Sequence, residues 1–290
     1  MMKTTISYSA LSILVGFVLL PYLGSAQQKP TVKSPPNPKY TLFNPTPKAL
    51  MRDMDTDRPD ITEAAVTVDA GHIQFETDLV DFKREKSDTK DQTTTLINQF
   101  NLKVGLTTST ALQLGFQSFG IQRDRALPAG DKATTRGVGD LTVRLKQNLV
   151  GNDGGAFAVA LLPYVKFPTA KYDTESRFEG GFIVPMQMKL PGEWKIGMQL
   201  EGDRLKDKEL NALHTEFLQS LTLSREVVKH LDGMAETYYT YNFKDKHWAN
   251  FLNAALQLEA AKDFKVDAGL NYGLQHDAEK TYFLGMSVRF

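Results

Sequence analysis

The chain has 290 residues, with 34 lysines and arginines against 34 aspartates and glutamates, and no cysteine. A formal net charge of +0 gives no electrostatic basis for a nucleic-acid partner, and the missing cysteines exclude a disulfide framework. A mean hydropathy of −0.31 argues against a bundle of membrane helices but not against a membrane β-barrel, whose strands show lipid an apolar side chain only at every second position.

The opening "MMKTTISYSALSILVGFVLLPYLGSAQQ" carries an early charge at Lys3, an apolar run from Leu11 to Leu20, and small residues at Gly24, Ser25 and Ala26. This order predicts a secretory signal peptide over residues 1–26, cut after Ala26. The run is well short of the roughly 20 apolar residues that a spanning helix needs. Residues 27–70 read as a leader. From Gln27 to Lys48 it is rich in proline and lysine, without apolar period, and is expected to be extended and to lack packing. The charged block "DTDRPD" follows.

Residues 71–290 read as the barrel itself. From Gly71 onward the chain is a succession of alternating segments, about twelve in number, each long enough to cross a bilayer at a tilt. The best helix-like run, "SREVVKHLDG", is too short to change this reading. Leu112, Leu114 and Phe116, or Leu252, Ala254, Leu256 and Leu258, form apolar faces; Gln113 and Gln117, or Asn253, Gln257 and Glu259, lie opposite. The connections alternate as well. Odd-numbered ones such as "KREKSDTKD" and "RDRALPAGDKATTR" are polar and mostly long. Even-numbered ones such as "TTST" and "PGE" are tight, with "REVVKHLD" the exception. Long and short links in alternation describe one irregular rim and one neat rim, as outer-membrane barrels have.

The fold expected is therefore all-β: a transmembrane, antiparallel, up-and-down β-barrel of about twelve strands. An even strand number puts both termini at the periplasmic rim and requires the last strand to close against the first, leaving no unpaired edge in hydrocarbon. The ending "KTYFLGMSVRF" suits that role. Tyr282, Val288 and Phe290 lie on its apolar face and resemble the carboxy-terminal signal that the barrel assembly machinery recognises. Expected partners are outer-membrane lipid and lipopolysaccharide, that assembly machinery, and a small-molecule solute.

The stretch "TDRPDITEAAVTVDAGHIQFETDLVDF" resembles the opening of a family of outer-membrane transporters named after the meta-cleavage pathway of phenol degradation. The likeness rests on Thr56 to Asp60, Thr62 and Glu63, then Gly71, His72, Gln74 and Glu76. It implies a barrel in the outer membrane of a double-membraned bacterium, passing small and in part aromatic or hydrophobic solutes. The alternative is a structural or adhesive barrel with a packed, non-conducting lumen.

Candidate solute-contacting residues are the leader charges Asp57, Arg58, Asp60 and Glu63 and the inward positions Glu76, Arg144, Lys146, Lys195, Glu201, Glu216, Glu236, Asp267 and Arg289. Their mixed signs suggest a weakly selective pore or a salt-bridged lumen rather than an ion filter. For "DTDRPD" two readings compete. It can enter the lumen as a small plug, with Arg58 paired to Glu201 or Glu216, or it can remain a rim turn in which Arg58 neutralises Asp57 and Asp60; the rim turn is preferred. No catalytic group, cofactor or metal site is expected. His214 and Glu216 share a strand face without a third ligand, and no His-x-Ser, phosphate loop or nucleophile elbow occurs.

Overall fold

Alternating side chains let one sheet bury polar groups on its concave face while turning apolar groups outward, and in this chain the sheet closes on itself. The computed structural model describes residues 40–128, 130–171, 177–207 and 212–290. The signal peptide and the leader up to residue 39 lie outside them. The strands are β1 (Ile73–Lys86), β2 (Lys90–Gly105), β3 (Thr110–Ala126), β4 (Lys132–Gly137), β5 (Leu141–Val150), β6 (Phe157–Phe167) and β7 (Glu179–Lys189). They continue with β8 (Lys195–Lys206), β9 (Leu213–Val228), β10 (Leu231–Asn242), β11 (His247–Ala261), β12 (Phe264–Gly273) and β13 (Lys280–Arg289). Neighbours along the chain pair antiparallel, and β13 returns to β1 from Gln74↔Arg289 to Arg84↔Lys280. β4 and β5 lie one after the other along β3, against Arg125–Gly120 and Phe116–Thr110, and so count as one stave. The wall among the described residues is a closed barrel of twelve staves.

Connections differ from expectation in several places, the first being "KREKSDTKD", which is strand except for Ser87–Thr89. The run "SREVVKHLDG" is strand through Val228, and only Lys229 and His230 remain as a tight turn, with His230 at φ 67°. The one exception to the loop parity thereby disappears. "RDRALPAGDKATTR" is mostly a protruding hairpin, because Ile121–Arg125 pair with Lys132–Arg136. Its charged, alternating residues keep their main-chain ladder even though their side chains are wet.

On β13 the inward Thr281, Gly285, Ser287 and Arg289 are buried, while Tyr282 and Leu284 are exposed. The exterior is a band of Val80, Ile97, Leu145, Leu161, Leu200, Leu221, Leu252 and Leu270, all exposed. Aromatic residues flank it, among them Phe157, Trp194 and Phe290 toward the rim that holds the chain end, and Phe119, Trp248 and Tyr282 toward the other. This is the surface of a barrel built to face lipid.

Part of the wall is dislocated. Register jumps between β1 and β13 at Leu79, the β1–β2 and β2–β3 ladders skip Leu79, Asn98 and Ser118 without changing register, and residues 138–140 break the next stave at the same level. Side chains take the place of missing ladder bonds. Thr77 donates to Asn98 at 2.9 Å, Asn98 donates to Ser118 at 2.7 Å, and Gln117 Nε2 reaches the carbonyls of Ile97 and Phe119. Asn98 has φ 54°, a left-handed conformation that asparagine tolerates better than most residues. Asn98→Ala is expected to cost about 2–3 kcal/mol in urea unfolding in micelles, from two hydrogen bonds near 1 kcal/mol each plus the φ penalty. Asn98→Gly should lose about 1 kcal/mol less, because glycine accepts the angle.

The end of the leader is docked, contrary to the expectation of an unpacked segment through Lys48. Leu42 N–H donates to the Leu106 carbonyl at 2.8 Å, and Thr46 N–H donates to that of Ala70 at 2.9 Å. His72, at the entry to β1, places its ring nitrogens 2.9 and 2.7 Å from the carbonyl oxygens of Phe290 and Thr46. Phe290 N–H donates to Ile73 at 2.9 Å. One histidine thus ties together the docked strap, the first strand and the chain end.

Candidate functional site: the plugged lumen

From Met51 the chain turns into the barrel, crosses the lumen and returns to β1. The rim-turn reading of "DTDRPD" is overturned, since Asp57 is buried and its partners are wall residues. Lys146 holds the Asp57 carboxylate at 2.8 Å and Lys103 holds its other oxygen. Lys103 also reaches Glu76, which accepts the Asp57 N–H at 3.1 Å. Glu63 pairs with Arg144 and lies 3.4 Å from Lys146. Asp55 pairs with Lys195 at 2.7 Å.

Arg58 pairs with neither Glu201 nor Glu216, nor with Asp57 or Asp60. Its guanidinium sits between Asp78 at 2.5 Å and Asp267 at 2.6 Å, above the Phe283 ring. Gly285 makes this possible: a Cβ there would lie 2.0 Å from a guanidinium nitrogen. Gly105 does the same for the plug backbone, where a Cβ would lie 2.1 Å from the Asp69 carbonyl oxygen.

The plug's main-chain donors, which no secondary structure satisfies, are met by wall side chains. Glu236 accepts from Ile61 N–H and Thr62 N–H, both at 2.9 Å, and from the Thr62 hydroxyl at 2.6 Å. Gln199 accepts from Glu63 N–H at 2.8 Å and Gln187 from Ala65 N–H at 3.0 Å; Asn148 donates to the Ala65 carbonyl at 2.7 Å. Such saturation is what an irregular segment buried inside a membrane barrel requires. At the rim of the chain end, Asp69 pairs with Arg52 at 2.8 Å and with Arg289 at 3.3 Å, and Arg289 also holds Asp263 at 2.6 Å.

Glu201 and Glu216 stand apart from this knot, nearer the far rim, late in β8 and early in β9. Glu201 accepts from Gln199 at 2.7 Å, and Glu216 lies 3.7 Å from His214. No group of three metal-ligating side chains occurs among the described residues. Two cavities flank the plug. One of about 430 Å³ opens toward the rim of the chain end beside Asp55, Lys195 and Lys265. The other, of about 590 Å³, opens toward the far rim, lined by charged Arg144, Lys166 and Glu201 and by apolar Ile61, Leu96 and Leu218. Asp60 borders both.

Several wall partners escape the sequence reading. Lys103 was legible by parity alone, between outward Leu102 and Val104. Asp78 was legible in the same way, in phase with Gln74 and Glu76; Asp81 and Lys83 were not, because the dislocation at Leu79 shifts the inward phase of β1 beyond it.

The chain is similar in structure to a NanC porin, with 12% identity over 74% of this chain and 98% of that one and a TM-score of 0.48. It is similar to the translocator domain of the autotransporter NalP from Neisseria meningitidis, with 12% identity over 76% and 88% and a TM-score of 0.48. A KdgM porin gives 9% identity over 73% and 98% with a TM-score of 0.44. No curated protein matches in sequence. Residues 56–290, from the plug's Thr56 to the closing Phe290, match the model of one family, so this plugged barrel belongs to the family described as "Putative MetA-pathway of phenol degradation".

Proposed function

We propose that the protein is an outer-membrane channel or transporter for small solutes, its exterior set against lipid and lipopolysaccharide. The observation that carries this reading is the lumen itself. Two solvent-sized spaces of about 430 and 590 Å³ are separated only by one irregular segment, which side chains hold in place and the barrel ladder does not include. A segment of that kind can leave without breaking a strand pair. The lumen also carries aromatic surface: Tyr238 and Phe251, on inward positions of β10 and β11, stack at 4.5 Å and 8°. Ile61, Leu96 and Leu218, which line the far cavity, suit a solute that is partly aromatic or apolar.

The second reading, a structural barrel that conducts nothing, draws on the pairing of Asp55, Asp57, Arg58 and Glu63 with wall charges. Planar bilayers separate the two. The purified full-length chain is expected to give discrete conductance steps that lengthen in open time when mild urea weakens the plug's hydrogen bonds. Silence across that range, with the barrel still folded by heat-modifiable gel mobility, would favour the structural barrel.

A further inference from the structure

Around the middle of the plug, residues 57–63, the lumen wall is divided by sign, while Lys265 on β12 and Arg289 on β13 stand nearer the rim of the chain end and Lys83 on β1 nearer the far rim. Lys103, Arg144, Lys146 and Lys195 stand on β2, β5 and β8, within the arc that runs β2, β3, β5, β6, β7, β8. Asp78, Asp267 and Glu236 stand on β1, β12 and β10, within the complementary arc through β13 and β11. Glu76, on β1 beside β2, is held by Lys103 at the boundary. The plug is oriented to match. Its carboxylates Asp55, Asp57 and Glu63 go to the basic arc, and Arg58 with the N–H groups of Ile61 and Thr62 goes to the acidic one. Between Arg52 and Asp69 the segment carries six acids and two arginines, so it is an anionic insert.

Lys103 and Lys146 are almost wholly buried, with side-chain exposures of 4% and 1%. When the segment moves, Lys146 loses both of its carboxylates and Lys103 keeps only the wall residue Glu76, in a confined space where a buried charge deprived of its partner is costly. A neutral solute cannot replace that partner, whereas a carboxylate reproduces the contact the plug makes. Resting on the transport reading above, we infer that the solute class is small organic carboxylates, which compete with Asp57 and Glu63 for the Lys103–Arg144–Lys146 face. The acids Glu201 and Asp203 lie farther out, where Gln199 and Tyr164 donate to them at 2.7 and 2.6 Å. Glu201 lines the wider cavity, and the narrow level stays basic on one side.

The test uses the full-length chain in proteoliposomes with three probes of similar size: benzoate, benzyl alcohol and benzylammonium. Benzoate flux should exceed benzylammonium flux several-fold. The double variant Asp57→Asn with Glu63→Gln frees the basic face and should raise benzoate flux several-fold further, with little change for benzylammonium. Adding Arg144→Gln to that background should remove most of the preference. Where the double variant does not fold, judged by gel mobility, Arg144→Gln alone is read and should lower the benzoate-to-benzylammonium ratio. Equal fluxes of the two ions, or preference for the cation, would overturn the inference while benzyl alcohol passage still upholds transport. Failure of all three probes to enter would overturn both.

Discussion

Deletion of residues 27–65 should leave a folded barrel whose single-channel conductance is several-fold above that of the full-length chain. The staves pair with one another without help from the plug, since β13 closes on β1 from Gln74↔Arg289 to Arg84↔Lys280. The neutral wall amides that lose partners, Gln199, Gln187 and Asn148, would be met by water entering the vacated lumen, while Lys146, left without a carboxylate, would carry most of the cost. Water-bridged bonds are enthalpically nearly as good as direct ones. Stability should fall, because the knot of Asp57, Glu63, Lys103 and Lys146 is removed, yet the ladder persists. Deleting only residues 27–48 should act differently from a simple loss of tail. It removes the Thr46 contacts to Ala70 and His72 and should increase the frequency of brief openings rather than the size of a step. A longer deletion with unchanged conductance would show that the segment does not limit passage.

The second large effect separates the two faces of one strand. Leu145 in the middle of β5 points outward with 43% of its surface exposed, between inward Arg144 and Lys146. Leu145→Arg should cost about 2–4 kcal/mol in folding from urea into lipid, the penalty for arginine on the lipid face near mid-depth. Arg144→Gln should cost only about 1 kcal/mol, because glutamine still offers Glu63 a hydrogen bond and Lys146 remains 3.4 Å away. Its main effect should be on conduction. Equal losses for the two variants would contradict the assigned facing.

The fold class was written in the sequence because its signal is local. Period-two alternation at Leu252–Leu258 or Thr281–Arg289 sorts each side chain to lipid or lumen without reference to any other strand. The closing strand was legible too, since a sheet in hydrocarbon cannot keep an edge. Where a strand ends was less legible. The hairpin through Ile121 and Arg136 and the turn at Lys229–His230 have loop-like composition, but their ladders are paid in main-chain hydrogen bonds that composition does not report.

The tertiary structure alone decided what the acidic block does. "DTDRPD" has the same charges whether it is a rim turn or a plug, and nearest-neighbour pairing of Arg58 with Asp57 or Asp60 is the natural local guess. The guess fails because the lumen offers partners from strands far away in sequence, Asp78, Asp267, Lys103 and Lys146, whose convergence depends on barrel closure. The dislocation through Leu79, Asn98 and Ser118 is of the same kind, since it resets the inward phase and becomes visible only once three strands are set side by side. Alternation is a property of one strand. Charge pairing across a lumen is a property of twelve staves closed into a ring.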